Sequence, residues 1–336
     1  MSTVPAIVAR ARGLVEPALR AAVGALGDEQ MRLVAGYQLG WWEADGTPVS
    51  GGGGKAIRPA LAILSAEAAG DPAAGVPGAV AVELVHNFSL LHDDIMDRDV
   101  ERRHRPTGWV VFGEGQAILA GNAMLTAAIE VLLRDGARSR SSLPLLMSTV
   151  QELISGQSRD LALERRQDAT VDDVVRMEHG KTAALISCSA AIGAQAAGAA
   201  HDVVDALAEY GQLVGLAFQL VDDVLGITGD PAVTGKSASS DLRAGKRSAP
   251  VVAALSAGGD SAGRLAELLA GGPLQSEEQI ALGVRLIEDA GGIRWANAEA
   301  ERLLDAAAKV LRAADLPEDA SAQFERMSAY LVRRAR

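Results

Sequence analysis

The sequence predicts an all-α fold of about ten to thirteen helices. Three observations lead there. Apolar residues recur at helical spacing almost everywhere, alternation of β-branched residues is rare, and Gly and Pro punctuate the turns. A chain of 336 residues that is 49% hydrophobic and 22% charged can bury a large core. Length alone would suggest about two domains at roughly 150 residues each, but no linker offers a place to divide it. The expectation is one domain over residues 1–336.

Residues 6–26 read as an amphipathic helix with Ile7, Leu14 and Leu19 on its apolar side. DGTPVSGGGG (45–54) is a loop that feeds a helix over 59–70, and DPAAGVPG (71–78) is a turn. The long apolar segment AVAVELVHNFSLLHDDIMD then forms a helix ending in Asp93, Asp94 and Asp97. Further helices are expected over 114–134, 143–163, 171–180, 182–199 and 202–225, the last carrying GLAFQLVDDVLG with Asp222 and Asp223. Residues 226–248 are rich in loop formers, and helices resume from about 262. Aromatic residues make up only 3% of the chain, so the core must be built from small aliphatic side chains. Gly211 and Gly215 lie on the stripe that continues through Gln219 to Asp223, where another helix or a substrate could approach the backbone closely. The small residues of 182–199 fit helix packing at least as well as a substrate channel.

Charge and composition exclude several functions. A net charge of −11 is wrong for a protein whose main partner is nucleic acid. The single cysteine, Cys188, sits in the apolar run LISCSAAIGA, so no disulfide can form within the chain and a buried thiol in a reducing, cytoplasmic setting is expected. Pro5, Arg10, Arg12 and Glu16 interrupt the start, which lacks the apolar core of a signal peptide. With no uninterrupted apolar run of about 18 residues, no membrane span is expected.

The two Asp-Asp pairs point to chemistry. Each closes an apolar helix, and at a helix C-terminus carboxylates meet about half a negative charge from the backbone dipoles. Acids there need a compensating cation. Brought together, two such clusters would hold hard cations, with Mg²⁺ shared with substrate phosphates the best fit. GGGGK (51–55) is not a nucleotide-binding loop, because Val49 and Ala56 stand where such a loop needs Gly and Ser or Thr. Lys55 and Arg58 instead offer two cations at a helix start, a place suited to an anion. Arg98, Arg102, Arg103, Arg105, Lys181, Lys236, Lys246 and Arg247 gather near the acidic motifs. One diphosphate gripped by cations and one held through metal would use both sets. Met96 and Trp109 read as packing residues.

The segments GGGGKAIRP, ELVHNFSLLHDDIMDRDVERRHRPT, HGKTAAL and FQLVDDVLGITGDPAVTGKSASSDLRAGKRS, within roughly residues 40–260, resemble the trans-isoprenyl diphosphate synthases, or polyprenyl synthetases. The likeness is strongest to the actinobacterial-type geranylgeranyl and farnesyl diphosphate synthases. It implies an isoprenoid synthase-like bundle of mostly antiparallel helices around a central cavity, and a homodimer. It also implies Mg²⁺-dependent head-to-tail condensation of isopentenyl diphosphate with an allylic diphosphate, using about three ions per site. On this resemblance Asp93, Asp97 and Asp222 are metal ligands and Asp94 supports them. Arg102, Lys181 and Lys236 grip the allylic diphosphate. Lys55, Arg58, His86 and Arg103 form the isopentenyl diphosphate pocket. Thr182 and Gln219 face the cation centre, and Lys246 belongs to a closing loop. The chain departs from the pattern once, with Gly226 where the second motif usually has a third aspartate.

Product length is read from the first motif. Phe88 lies five residues before Asp93, roughly 7.5 Å along the helix axis, and Ser89 is the small residue one turn below it. Within the family that combination implies a C20 product, with C15 as the nearest alternative. A class I terpene cyclase is a rival reading, because Asn122, Thr126 and Glu130 have the spacing of a cyclase metal triad. They lie beside the wrong motif for it. A non-catalytic regulatory subunit, suggested by Gly226, is the other rival.

Overall fold

The computed structural model describes residues 3–49, 54, 56–164, 166, 168–229 and 239–333, and helices dominate them. In order these are α1 (Val4–Gly24), α2 (Glu29–Gln38), α3 (Ile57–Ala68), α4 (Gly75–Met96), α5 (Gly108–Phe112), α6 (Glu114–Arg134), α7 (Ala137–Arg140), α8 (Leu143–Leu163) and α9 (Val171–Glu178). A π-helical turn, His179–Ala183, leads into α10 (Ala184–Ala197) and α11 (His201–Thr228). The chain continues through α12 (Ser240–Ala244), α13 (Ala249–Ser256), α14 (Gly259–Ala270), α15 (Glu277–Asp289), α16 (Gly292–Ala313) and α17 (Glu318–Arg333). Short helices such as α5, α7 and α12 carry the total beyond the expected number. Among the described residues the only sheet is a two-residue hairpin, β1 (Glu101–Arg102) with β2 (Arg105–Pro106).

Two compact units emerge, each assembled from separated stretches of sequence. The first takes Met1–Val150, Ser187–Ala208 and Leu311–Arg326; the second takes Gln151–Ile186, Glu209–Val310 and Met327–Arg336. In the first unit α4 packs between α3 and α6. The small residues of α10 close this core: a Cβ on Gly193 would meet Ser65 Oγ at 2.6 Å, and one on Gly78 would meet Ile192 at 3.0 Å. Helix packing therefore accounts for that stretch. Cys188 is fully buried there, which pushes its thiol up to about 12. In α1 the buried stripe is Val4, Ile7, Ala11, Val15, Leu19 and Val23, while Leu14 is 43% exposed. A stripe stepping by four residues advances about 40° per step round a helix, so the contact surface has moved past Leu14. Asp28 caps α2, accepting from Met31 N at 3.2 Å.

The second unit has two apolar clusters. One joins Leu163, Val174, Leu216, Leu220, Val252 and Leu303; the other joins Ile227, Leu242, Val251, Leu265 and Ile287. Each such side chain contributes roughly 1.5–3 kcal/mol of burial. Glycines set the spacing here. A Cβ on Gly156 of α8 would lie 2.6 Å from Gly180 C, and one on Gly215 of α11 would lie 2.7 Å from Ala183 Cα. Both helices thus press on the π-helical turn that carries Lys181 and Thr182.

Two helices, Pro72–Met96 and Glu114–Arg134, are long and apolar enough by length and composition to cross a membrane. The first is mostly buried within the protein, as a core helix would be. The second leaves Ile118, Leu119 and Leu133 exposed.

Candidate active site

The first acidic cluster is built by the last turn of α4. Asp97 is the C-cap, its N–H donating to Asp93 O at 2.8 Å, so the two side chains stand one turn apart. Asp94 is 1% exposed and accepts from Arg102 Nε at 2.6 Å. Burial raises the Asp94 carboxyl above the usual range, and Arg102 opposes that shift. One oxygen each of Asp94 and Asp97 is buried without a hydrogen-bond donor. Buried acceptors in folded proteins are normally satisfied, and acids crowded at a helix C-terminus call for positive charge. An oxygen-only donor set of this kind fits Mg²⁺. Among the described residues no three Asp, Glu, His or Cys side chains form a ready metal cage.

A second arrangement in the same unit gathers cations. Arg103 and His104 occupy both turn positions of the hairpin with φ of 55° and 60°. Such a turn favours Asn-Gly, and side chains there cost about 1–3 kcal/mol each. The strained turn sends the Arg103 guanidinium back against Gly54, where even a Cβ would meet it at 3.1 Å. Arg12 donates to Gly54 O at 2.7 Å. Arg58 lies beside them with its Nε buried and unpartnered, and burial pushes it down to about 10. His86 is held well below its ordinary value by burial and by Arg58, Arg103 and Arg102, so it stays neutral at physiological pH. Beneath them Glu83 is buried, linked to Asn87 Nδ2 at 3.2 Å and electrostatically to Arg58, Arg103 and Arg12. Arg58, His86 and Arg103 are therefore brought together; Lys55 lies outside the described residues. A cavity of about 220 Å³ opens beside this cluster, lined by Tyr37, Val49, Asp94, Arg102, Arg103 and Thr107 among others.

Not every basic residue near the motif belongs to a site. Arg105 stacks 4.2 Å from the Tyr37 ring centre and donates to Trp42 O at 2.9 Å, so it braces the hairpin. Arg98 pairs with exposed Glu114. Met96 is 40% exposed rather than packed, and Trp109 donates from Nε1 to Asp99 O at 2.8 Å. Phe88 is buried edge-on to the His92 ring at 4.8 Å, and Ser89 Oγ donates to His86 O at 2.9 Å. Asn122, Thr126 and Glu130 face solvent on α6. Thr126 is satisfied by Asn122 O at 2.9 Å and Glu130 by Arg134 at 2.9 Å, which removes the cyclase triad.

In the second unit Lys181 is ion-paired with Asp160 of α8. Thr182 Oγ1 donates to Gln219 Oε1 at 2.9 Å, Gln219 Nε2 donates to Asp223 Oδ1 at 2.7 Å, and Ala249 N donates to Asp223 Oδ2 at 2.9 Å. This chain of bonds commits Asp223 to the frame at the start of α13. Asp222, half-buried on the adjacent face, is outside it. Glu178 is buried with no donor on either oxygen and meets the Asp223 carboxyl. Lys246 is exposed, and Lys236 lies outside the described residues. Glu83, Asp160 and Glu178 were not picked out from the sequence. Glu83 could have been, as an acid inside the apolar run AVAVELVHN; Asp160 and Glu178 gain meaning only from tertiary contacts.

Burial and Asp223 raise Glu178 well above its ordinary value, and burial pushes Asp223 up to about 6. A carboxyl whose folded pKa is raised stabilises the fold below its unfolded value, near 4, and loses that contribution as pH rises through the folded value. Metal-free protein should therefore melt at falling temperature as pH climbs from 4 past 6. Glu178→Gln should flatten this slope, which melting curves across that range will check.

Residues 46–285 match the family model described as Polyprenyl synthetase. A (2E,6E)-farnesyl diphosphate synthase of Mycobacterium tuberculosis is 46% identical over 333 residues, covering 98% of this chain and 92% of its own. A geranylgeranyl diphosphate synthase of the same organism is 42% identical over 309 residues, covering 91% and 88%. The crystal structure of a polyprenyl synthetase from Streptomyces coelicolor A3(2) superposes with a TM-score of 0.94 at 48% identity, covering 98% of this chain and 99% of the other.

Proposed function

We propose, for a chain that belongs to the polyprenyl synthetase family, a short-chain trans-prenyl diphosphate synthase making a C20 product. It would join isopentenyl diphosphate head to tail with an allylic diphosphate. One observation carries the proposal: the first unit holds a basic cluster, the Arg58 and Arg103 guanidiniums around neutral His86, and an oxygen-only cluster at the end of α4. Two diphosphates bound by different means need those two kinds of site. The family match runs across both units, which supports reading residues 1–336 as one catalytic domain.

Asp93 and Asp97, and Asp222 in the second unit, would hold Mg²⁺. Bound Mg²⁺ would draw charge from the allylic diphosphate and ease its departure. Asp94 fixes the Arg102 guanidinium, whose remaining nitrogens can address the same diphosphate. Asp160 restrains Lys181 for a similar task, and Lys236 would add a further cation. Neutral His86 can donate an N–H to isopentenyl diphosphate, with Lys55, Arg58 and Arg103 supplying charge. The Thr182 hydroxyl oxygen and Gln219 carbonyl, already tied to each other, would stabilise the allylic cation. The departing diphosphate takes the proton, so no side-chain base is required. Lys246, exposed beyond the second motif, is assigned to a loop that closes over substrate.

The experiment is to incubate purified protein with Mg²⁺, isopentenyl diphosphate and each allylic starter, then resolve the dephosphorylated products. C20 alcohol is expected. Of the two mycobacterial relatives the one named for a C15 product is the more similar, at 46% against 42% identity, so farnesyl diphosphate is the alternative outcome; a cyclic hydrocarbon or no product would overturn the reading. Arg103→Ala should raise the KM for isopentenyl diphosphate more than that for the allylic partner, and Arg102→Ala the reverse. Equal loss of one substrate in both variants would refute the division. Phe88 is assigned to the floor of the product channel. Phe88→Ala should lengthen the product and Ser89→Phe shorten it to C15, while unchanged lengths in both would remove these residues from the argument.

Homodimer formation fits the exposed Ile118, Leu119 and Leu133 on α6. Patches of that kind on a helix favour association. A cytoplasmic location fits the reduced, buried Cys188.

A further inference from the structure

α3 begins without a capping side chain. Ala56, the residue before it, lies in the left-handed region at φ 49°, which a residue with a Cβ adopts only at a cost. Gly54, two residues earlier, has the backbone freedom of glycine, so neither residue favours this path of its own accord. Gly54 is instead gripped from two sides. Arg12 of α1 donates from Nη2 to its carbonyl oxygen at 2.7 Å, and the Arg103 guanidinium lies where a Cβ on Gly54 would meet Nη1 at 3.1 Å and Nη2 at 3.4 Å. Behind this contact α1 and the chain at Gly54 and Ala56 border a cavity of about 80 Å³, lined also by Val15, Pro59 and Glu83. Space lies there in place of packed side chains, so the bond from Arg12 is what ties Gly54 to the helix.

α1 gives that bond a firm base. Ala11 and Val15, on either side of Arg12, are 1% and 2% exposed, while Arg12 itself is exposed. The same guanidinium reaches the acid beneath the basic cluster. Burial raises the Glu83 carboxyl, and Arg58, Arg103 and Arg12 oppose that rise. Arg12 thus acts both on the wall against which Arg103 rests and on the counter-charge that Arg103 shares with Arg58.

Resting on the reading of Arg58, His86 and Arg103 as the isopentenyl diphosphate pocket, we infer that Arg12 is a positioning residue for that pocket. It anchors Gly54 by its carbonyl and so fixes the surface that holds the Arg103 guanidinium ready for an anion. Without it Arg103 would have to be ordered as the substrate binds, and affinity falls when a side chain must be immobilised on binding. Arg102 is held separately, by Asp94, so the allylic side does not depend on Arg12.

The test is steady-state kinetics with each substrate varied in turn, alongside melting temperatures of the same samples. Arg12→Ala should raise the KM for isopentenyl diphosphate about tenfold and leave that for the allylic diphosphate within about twofold. Its melting temperature should stay near the parental value, because the side chain is exposed. Arg12→Lys keeps the charge and one donor, and should return the KM to within about threefold of the parent. Arg10→Ala is the control: it removes a cation from the same helix and its 2.5 Å pair with Glu67, and should leave both KM values within about twofold. A parental KM for isopentenyl diphosphate in Arg12→Ala, equal rises for the two substrates, no gain of Arg12→Lys over Arg12→Ala, or the same rise in Arg10→Ala would each overturn the inference. Arg103→Ala tells the two levels apart. A raised KM there with a silent Arg12→Ala removes the inference alone, and a parental KM in both removes the reading of the pocket as well.

Discussion

Asp93→Ala is expected to lower the rate of condensation by about 10³-fold or more while the protein stays folded, and Asp222→Ala should do the same. On the proposed reading both acids would ligate Mg²⁺ and neither would serve packing. Asp93 stands with Asp97 on the last turn of α4, where the helix dipole disfavours any carboxylate without a cation. Asp222 lies outside the bond network that fixes its neighbour Asp223 to Gln219 and Ala249. Neither removal should unfold the protein, so a cooperative melt should persist in both variants. Turnover near the parental value with unchanged Mg²⁺ dependence would refute the assignment. The paired readout matters, because loss of turnover together with loss of the fold would indicate a structural role.

Gly156→Ala should be strongly destabilising, costing about 3 kcal/mol or more. The added Cβ would overlap Lys181 N and lie 2.6 Å from Gly180 C, and these are backbone atoms that cannot swing aside. The approach is mutual, since a Cβ on Gly180 would lie 2.6 Å from Glu152 O. To relieve the overlap α8 must move off the π-helical turn, which also separates Asp160 from Lys181. A π-helical turn is itself a local departure often found at functional sites. Denaturant melts should show the loss of stability, and the surviving folded fraction should bind the allylic substrate more weakly. A melting temperature unchanged from the parent would mean that the two segments are not held in contact as described.

Much of the fold was legible because most helices carry their own signals. The bounds 114–134 and 143–163 agree with α6 and α8, whose apolar periodicity is long and whose ends are marked by Gly113, Asp135 and Pro144. α11 runs to Thr228, past the expected end at 225, because Gly226 is tolerated inside a helix when a neighbour needs its space. α2 was missed; it is short, and Asp28 was its only strong signal. The hairpin was invisible because Arg103 and His104 are poor formers of the turn they occupy. The acidic end of α4 could be read directly, since Asp93, Asp94 and Asp97 share one local segment. The supports could not. Asp160 against Lys181, Glu83 beneath Arg58 and Asp241 beside Gly226 join positions separated along the chain, and only tertiary packing reveals them.

Binding of the two substrates with and without metal tests the division between the diphosphate sites most directly. Calorimetry of isopentenyl diphosphate, and of an unreactive thiolo analogue of the allylic diphosphate, would be run on purified protein in Mg²⁺ and again in excess chelator. Isopentenyl diphosphate should bind in both, within about threefold, because on the proposed reading Arg58, His86 and Arg103 would grip it without metal. The allylic analogue should lose at least about a hundredfold in affinity when Mg²⁺ is removed, because carboxylates cannot hold a diphosphate unaided. Equal dependence of both ligands on Mg²⁺, or independence of both, would contradict the assignment of Arg58, His86 and Arg103 to one diphosphate and the aspartates to the other.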